Sequence, residues 1–427
     1  MKMKSEVIDS FQEVVRKLES LSIMPKTMPG LHKIEKALQR TEWFQKIDPN
    51  KVIVVAGTNG KGSTCAFLES LLLSADQKVG FYSSPHLVST TERIRVGGKP
   101  ICEKDFVTLY QQCEKWIQQD ELSHFEALTL MAGHFYFSSE WDQQLDFIIF
   151  EVGLGGTFDA TNAFPHATSV ITALGLDHTH ILGTSLSEVA ANKFGIVKKN
   201  NRVIHHPLPE EVLALKKIVQ KQTGSQWLQA AQGHATLVNS HWFLKSDWGS
   251  VALALPGERA AQNAMTALTV FQSLGFQPES HLSALNRTQW PGRMQKVKWP
   301  SLVCDLYLSG DHNPQGIQSL IEILKTMHWK TLYLLIGIGQ DKDADEMLQH
   351  LVSLPNVKLY LTVTPFKGRL LEDYPQEYKR LSVASHNDVI RLIEEVALKA
   401  TSDDLVLVTG SLYLVGDVLR KIAADKK

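Results

Sequence analysis

Residues 52–63 read VIVVAGTNGKGS, and this stretch restricts the possible folds more than any other. Four β-favouring residues, Val52 to Val55, run into Gly57-Thr58-Asn59-Gly60-Lys61-Gly62-Ser63, and Thr64 to Ser74 follow as an amphipathic helical run. A buried strand, a glycine-rich turn and a helix N-terminus together form an anion site. The glycines let backbone N–H groups converge on phosphate oxygens, and the helix dipole favours negative charge there. Lys61 would neutralise the outer phosphates, and Ser63 would reach a phosphate or a Mg²⁺ shell. The spacing is not GxxxxGK[ST], because Lys61 lies four residues after Gly57 and Gly62 precedes Ser63. A glycine-rich loop alone can be a mere tight turn; the strand before it and the lysine inside it favour a nucleotide.

The 427 residues exceed one ordinary core, so two or three domains are expected. The net charge of −1 provides no global field for nucleic acid or membrane, so anionic ligands must be held locally. Cys65, Cys102, Cys113 and Cys304 have no CxxC spacing and read as reduced buried thiols, which suits a cytoplasm. No apolar run approaches membrane-spanning length, and the charged start lacks a signal-like core. The expectation is a soluble cytoplasmic monomer that binds neither nucleic acid nor membrane.

In chain order, residues 5–20 and 30–38 have helical spacing, Val7 among the apolar positions of the first. Strands are expected at 78–82, 145–152 and 168–174, and helices at 105–119, 125–137 and 185–193. Ser185 and Glu188 have capping-box spacing, and Gly195 is a plausible stop. Pro85 ends the second strand and leaves Ser84 and His86 on a loop; Glu151 ends the third; Asp177 and His178 follow the fourth. Strands alternating with helices argue a parallel α/β sheet with its functional loops at the strand C-termini. A crevice there would collect Lys61, Ser63, Ser84, Glu151, Asp177 and His178, a set of oxygen and imidazole ligands that suits phosphates and Mg²⁺. Lys193 sits on a later helix, where a lysine is ordinarily a solvated surface charge.

Trp290-Pro291-Gly292-Arg293 interrupts the pattern and reads as a linker over 290–297, dividing a domain of 1–289 from one of 298–427. Beyond it, strands are expected at 301–308, 331–336, 357–363 and 405–408, with helices at 315–327, 344–354 and 388–399. Asp311-His312-Asn313-Pro314, Asp341-Lys342-Asp343 and Gly410-Ser411-Leu412-Tyr413 follow strands as loop clusters.

Taken together, these residues resemble the folylpolyglutamate synthase / dihydrofolate synthase family, Mur-ligase-like ATP-dependent amide ligases, over nearly the whole chain. The motifs are AGTNGKGST (56–64), YSSPHL (82–87) with ERIRV (92–96), FEALT (125–129), EVGLGG (151–156) with DATN (159–162), and LDHTHILG (176–183). WPGR, DHNP, DKD and TGSLYLVG (409–416) continue it. The resemblance implies a P-loop-containing, mostly parallel α/β sheet domain followed by a smaller Rossmann-like α/β domain.

It further implies ATP on Thr58, Asn59, Gly60, Lys61, Gly62 and Ser63, with Asn263, Arg293 and Asp311 meeting the nucleotide from the far side of an interdomain cleft. Ser84 and Glu151 would hold a first Mg²⁺ and His178 a second. Lys193 would be the lysine that the family carbamylates to bridge metal, acting in catalysis with Lys61 and His178. The pterin would contact Phe125, Glu126, Phe158, Asp159 and Ala160, and His312 would also bind substrate. The implied reaction joins the amine of L-glutamate to a carboxylate of dihydropteroate or a reduced folate. Four places depart from the family pattern: Thr157 stands for Arg, Asn192 for Glu, Ser309 for Asp with Asp311 two places later, and Ala260-Ala261 for HQ. A ligase for another pterin-like or peptide acid, or a nucleotide-binding protein without turnover, are the rival readings.

Overall fold

The computed structural model describes residues 2–22 and 30–425, with side chains from residue 10 onward. The chain forms two compact units. The first comprises Met1–His234, Leu244–Ala252 and Gln262–Thr288; the second comprises Ala235–Phe243, Leu253–Ala261 and Gln289–Lys427.

The first unit is built on eight strands: β1 (Val52–Ala56), β2 (Val79–Tyr82), β3 (Ile94–Val96), β4 (Lys99–Pro100), β5 (Phe147–Glu151), β6 (Thr168–Ile171), β7 (Arg202–His205) and β8 (Gln226–Gln229). Their order is β4-β3-β2-β5-β1-β6-β7-β8, so β1 lies inside the sheet. It runs parallel to β5 and β6, with Val54 opposite both Phe150 and Ser169. Only the β2–β3–β4 ribbon is antiparallel. Every residue of β1 is buried, as a central strand covered on both faces requires. Parallel alignment brings the C-terminal ends of β1, β2, β5 and β6 to one edge.

Several expected elements shift for local reasons. The Lys61–Ser74 helix is not one-sided: Gly62 through Glu69 are all buried, so it is packed nearly all round. β6 stops at Ile171 rather than residue 174, because Thr172 turns its hydroxyl back onto the β1 loop. The Leu186–Phe194 helix carries the expected Ser185/Glu188 capping box. Gly195 follows it at φ −62°, a right-handed conformation, so it is no left-handed stop. It is there for space: a Cβ would lie 1.8 Å from Thr157 Oγ1. The short strands β3, β4, β7 and β8 escaped the sequence reading because none is an apolar run; β8 is largely exposed. Cys65 and Cys113 are buried as expected, but Cys102 is exposed and its sulfur caps the Glu103–Gln119 helix. In the first helix (Lys2–Ser20), Phe11, Val14 and Leu18 pack into the core, while the side chain of Val7 lies outside the described residues.

Three strands absent from the sequence reading, β9 (Gly233–Val238), β10 (His241–Ser246) and β11 (Gly249–Ala252), form a small sheet in the order β11-β10-β9. The second unit holds six: β12 (Gln295–Val297), β13 (Asp305–Leu308), β14 (Leu332–Ile336), β15 (Val357–Thr362), β16 (Ala384–His386) and β17 (Leu405–Thr409), ordered β12-β13-β17-β14-β15-β16. All pairs are parallel except β12 with β13. Residues 295–297, read as linker, are therefore an edge strand of this sheet. Helices Pro314–Leu324, Ala344–Val352, Val389–Ala397 and Leu412–Ala424 belong to this unit. No helix among the described residues is long and apolar enough to cross a membrane.

A stacked aromatic block supports the first sheet. Phe164 lies 4.5 Å from Phe150 and 6.4 Å from Trp43, ring to ring. The His124–Phe137 helix can approach it only because position 133 is glycine: a Cβ there would lie 2.6 Å from Phe164 and 2.9 Å from Trp43. Gly133→Ala would gain helix propensity but force the block apart, so a net loss of about 1–3 kcal/mol is expected in denaturant unfolding. An equal or raised unfolding midpoint would contradict this packing.

Candidate functional site

The loop after β1 is held by the segment that follows β6. Thr58 donates its N–H to Ala173 O (2.8 Å) and its hydroxyl to Gly175 O (2.8 Å), while Thr172 Oγ1 donates to Asn59 O (2.8 Å). Gly57 has no room for a side chain, since a Cβ would sit 1.8 Å from Thr172 Oγ1. Gly60, at φ +86°, is the left-handed residue that turns the chain into the Lys61–Ser74 helix. Asn263 lies at this same turn. A Cβ on Gly60 would be 2.3 Å from its Oδ1, which is buried without a hydrogen-bond partner among the described residues. Asn263, expected on the far side of an interdomain cleft, is instead carried by the Glu258–Ser273 helix into the first unit, beside Gly60. Gly62 and Ser63 are buried in the first helical turn. Thr172 was missed in the sequence because it lies inside an otherwise apolar strand pattern; the hydroxyl at that strand's end was its only signal.

Two ammonium groups converge on one carbonyl oxygen. Lys61 Nζ curls back to donate to Gly57 O (3.1 Å) and Thr58 O (3.3 Å), and Lys193 Nζ donates to Gly57 O from the other side (3.0 Å). Lys193 is 3% exposed, not the solvated surface charge that a helical lysine usually is. Burial, then the charge of Lys61, pull its pKa down to about 7, against the opposing pull of Asp177 and Asp159. Neither lysine forms a salt bridge with a carboxylate among the described residues.

Glu151, 5% exposed at the end of β5, accepts a hydrogen bond from the backbone N–H of Ser84 (3.2 Å). That bond, through the Ser84 backbone, brings together the two residues expected to hold a first metal. Burial, with the charge of Glu151, pushes the Cys65 thiol up, while Lys61 pulls it down. A carboxylate and an ammonium therefore both bear on the first turn of the Lys61–Ser74 helix. His178 has left-handed backbone (φ 50°); its N–H donates to Asp177 Oδ1 (2.8 Å), and its Nε2 is 3.9 Å from that oxygen. Among the described residues, no three His, Cys, Asp or Glu side chains form a metal-binding group.

The Gly153–Asn162 loop is organised from within by Asp159. One carboxylate oxygen accepts from Gly153 N (3.0 Å) and Leu154 N (2.9 Å), the other from Thr161 N (3.0 Å) and Thr161 Oγ1 (2.6 Å). Burial raises the pKa of Asp159. Phe158 projects from this loop at 44% exposure, whereas Ala160 is buried. Phe125 packs against Tyr82 (5.9 Å between rings) and over Gly153. Glu126, expected to touch substrate, is the N3 residue of a capping box and accepts from Ser123 N (2.9 Å) and Ser123 Oγ (2.6 Å). Thr157 donates both its N–H (2.8 Å) and its hydroxyl (2.9 Å) to Asn192 O, tying the loop to the helix that carries Lys193.

In the second unit, Asp311 is paired with Arg259, and its Oδ2 accepts from Ser309 Oγ (2.6 Å). Burial alone would raise the Asp311 pKa, but Arg259, Ser309 and Arg293 outweigh it and lower it. His312 Nδ1 faces Gly310 O at 2.8 Å, and a Cβ on Gly310 would lie 2.8 Å from Arg293 Nη1. Asn313 caps the Pro314–Leu324 helix through Gly316 N (2.8 Å). Arg259, missed in the sequence, carried no signal except its place before the irregular Ala260-Ala261 pair.

Residues 55–271 match the Mur ligase middle domain and residues 292–412 the Mur ligase glutamate ligase domain. The dihydrofolate synthase/folylpolyglutamate synthase of Escherichia coli is 31% identical over 380 residues, 88% of this chain and 87% of that protein. The structure of E. coli FolC in complex with DHPP and ADP superposes with a TM-score of 0.83 at 28% identity, covering 98% of each chain. A bifunctional folylpolyglutamate synthase/dihydrofolate synthase with Mn, AMPPNP and L-glutamate bound superposes with a TM-score of 0.80 at 27% identity, covering 97% of this chain and 98% of that one. With a glycine-rich loop that ends β1, two lysines on Gly57 O, and these matches along nearly its whole length, the chain belongs to the dihydrofolate synthase/folylpolyglutamate synthase family of Mur ligases.

Proposed function

We propose that this protein uses ATP to join L-glutamate to the carboxylate of dihydropteroate, to the glutamate tail of a reduced folate, or to both. The observation that carries this reading is the pair of lysine amino groups on Gly57 O, one of them buried. Lys61, with Lys193 whenever the latter is protonated, places positive charge at one carbonyl, and an anion such as a triphosphate would offset it. The E. coli relative was solved with ADP and DHPP, and the second relative with AMPPNP, manganese and glutamate.

The acceptor carboxylate attacks the γ-phosphorus of ATP and releases ADP. The glutamate amine then attacks the acyl phosphate, expels phosphate and loses a proton, leaving an amide. Lys61 would offset the charge that develops during phosphoryl transfer. Phe158 and Phe125 offer aromatic surface for a pterin, and the buried Ala160 would be its third contact. Asp159 has both oxygens engaged by its own loop, so its first task is to shape that surface. Glu126 acts likewise through its cap. Asn263, Arg293, Asp311 and His312 remain in the proposal as nucleotide and substrate contacts. The hydrogen bond from Ser309 to Asp311 brings a carboxylate beside the position where the family has its own.

Divalent metal fits the residues present. Ser84 and Glu151 carry hard oxygen donors, and the Ser84 backbone N–H already donates to the Glu151 carboxylate, in keeping with Mg²⁺ bound by few protein ligands and the nucleotide phosphates. Mg²⁺ at these residues, and a second at His178, would neutralise phosphate charge. Lys193 would become an oxygen ligand by carbamylation; its burial and low pKa leave a neutral amine available to CO₂ near pH 7.

Purified protein with ATP, Mg²⁺ and glutamate should release phosphate with dihydropteroate or tetrahydrofolate but not with muramyl peptides. Turnover with the muramyl acceptor alone would replace the folate reading. Lys61→Ala should lower kcat at least about 100-fold. Its melting temperature should stay within a few degrees, because the glycines set the loop's shape. A collapsed fold would show that Lys61 is structural. Lys193→Arg keeps the charge but cannot be carbamylated, so it too should be inactive. Wild-type turnover by this variant would remove carbamylation from the proposal.

A further inference from the structure

The ERIRV segment has no part in the site described so far, yet its first two residues grip the loop that carries Ser84. Glu92 reaches back across the Ser84–Ser89 turn. Its Oε2 accepts from Leu87 N (2.8 Å), and its Oε1 accepts from Val88 N (3.0 Å) and Ser89 N (2.8 Å). Arg93, 7% exposed, donates from Nε to His86 Nδ1 (3.0 Å), and its carbonyl accepts from Ser83 N (3.0 Å). Residues 83 and 86–89 are thus fixed from the β3 side, while Ser84 N is fixed by Glu151 on β5.

A carboxylate that accepts three backbone N–H bonds sets the path of a loop far more tightly than a cap that accepts one. The Ser89–Glu92 capping box accounts for only one of these three bonds. The 84–89 turn has no helix or strand of its own, so its hydrogen bonds to neighbours decide the backbone path from which the Ser84 side chain projects.

We propose that Glu92 and Arg93 are positioning residues: they hold the Ser84 loop so that its hydroxyl and Glu151 together present oxygen to divalent metal. The inference rests on the assignment of Ser84 and Glu151 as metal ligands. Residues behind metal ligands typically contribute 10–100-fold to metal affinity or activity, and Glu92 stands one step behind Ser84.

The test is Mn²⁺ binding to the whole protein, followed by electron paramagnetic resonance in the presence of AMPPNP, alongside thermal melts. Glu92→Gln keeps the shape but places an amide N–H₂ against backbone donors. It should weaken Mn²⁺ binding about tenfold or more while the protein remains folded. Arg93→Lys, which keeps a donor for His86, should be milder than Arg93→Gln. Ser89→Ala removes a cap hydroxyl but leaves all three Glu92 bonds possible, so it should bind Mn²⁺ as wild type does. If Glu92→Gln does not fold, Arg93→Gln decides on the same two readouts. Wild-type Mn²⁺ affinity in the folded Glu92→Gln and Arg93→Gln variants would overturn the inference. If Ser84→Ala and Glu151→Gln also bind Mn²⁺ normally, the metal assignment fails instead.

Discussion

Much of this protein depends on how one backbone oxygen is shared. The carbonyl of Gly57 faces Lys61 from its own loop and Lys193 from a helix more than a hundred residues away. Charged lysine is costly to bury, and a second cation on the same acceptor adds to that cost. The surrounding chain is arranged to keep the two groups there. Thr172 and Ala173 hold the loop, and Thr157 holds the end of the helix that bears Lys193. The low pKa of Lys193 follows from that arrangement, not from any contact of its own with a ligand.

The same constraint explains residues that look unremarkable in the sequence. Gly195 is where the Lys193 helix meets Thr157, and no side chain fits between them. Asp159 spends its carboxylate on four donors of its own loop, which ties Gly153 and Leu154 to Thr161; the neighbouring Asn162 donates to Thr157 O (2.9 Å) and Gly195 O (3.1 Å). Thr157, where the resemblance places an Arg, therefore puts a short hydroxyl into a half-buried joint between the loop and the Lys193 helix. Nothing in the structure explains Asn192 in place of Glu, whose amide oxygen is buried without a hydrogen-bond partner among the described residues.

The second unit shows a comparable economy. At position 309, where the resemblance places an Asp, a hydroxyl donates to Asp311, and Arg259 and Arg293 help hold the pKa of that acid low against its burial.

The sequence by itself determined the parts that depend on local pattern. Val52 to Val55 flowing into glycine, lysine and serine marked a central strand and an anion loop, because a buried parallel strand is continuously apolar and such a turn needs residues without side chains. Caps at Ser185 and Glu188, and strand ends at Glu151 and Ile336, were legible for the same reason. Only the tertiary structure decided what depends on distant neighbours. It buried Lys193, brought Asn263 to Gly60, turned residues 295–297 into a strand, and paired Asp311 with Arg259. A lysine in a short helix reads the same whether it faces water or a buried carbonyl. Its environment comes from the packing of segments far apart in the chain, and no local spacing encodes that.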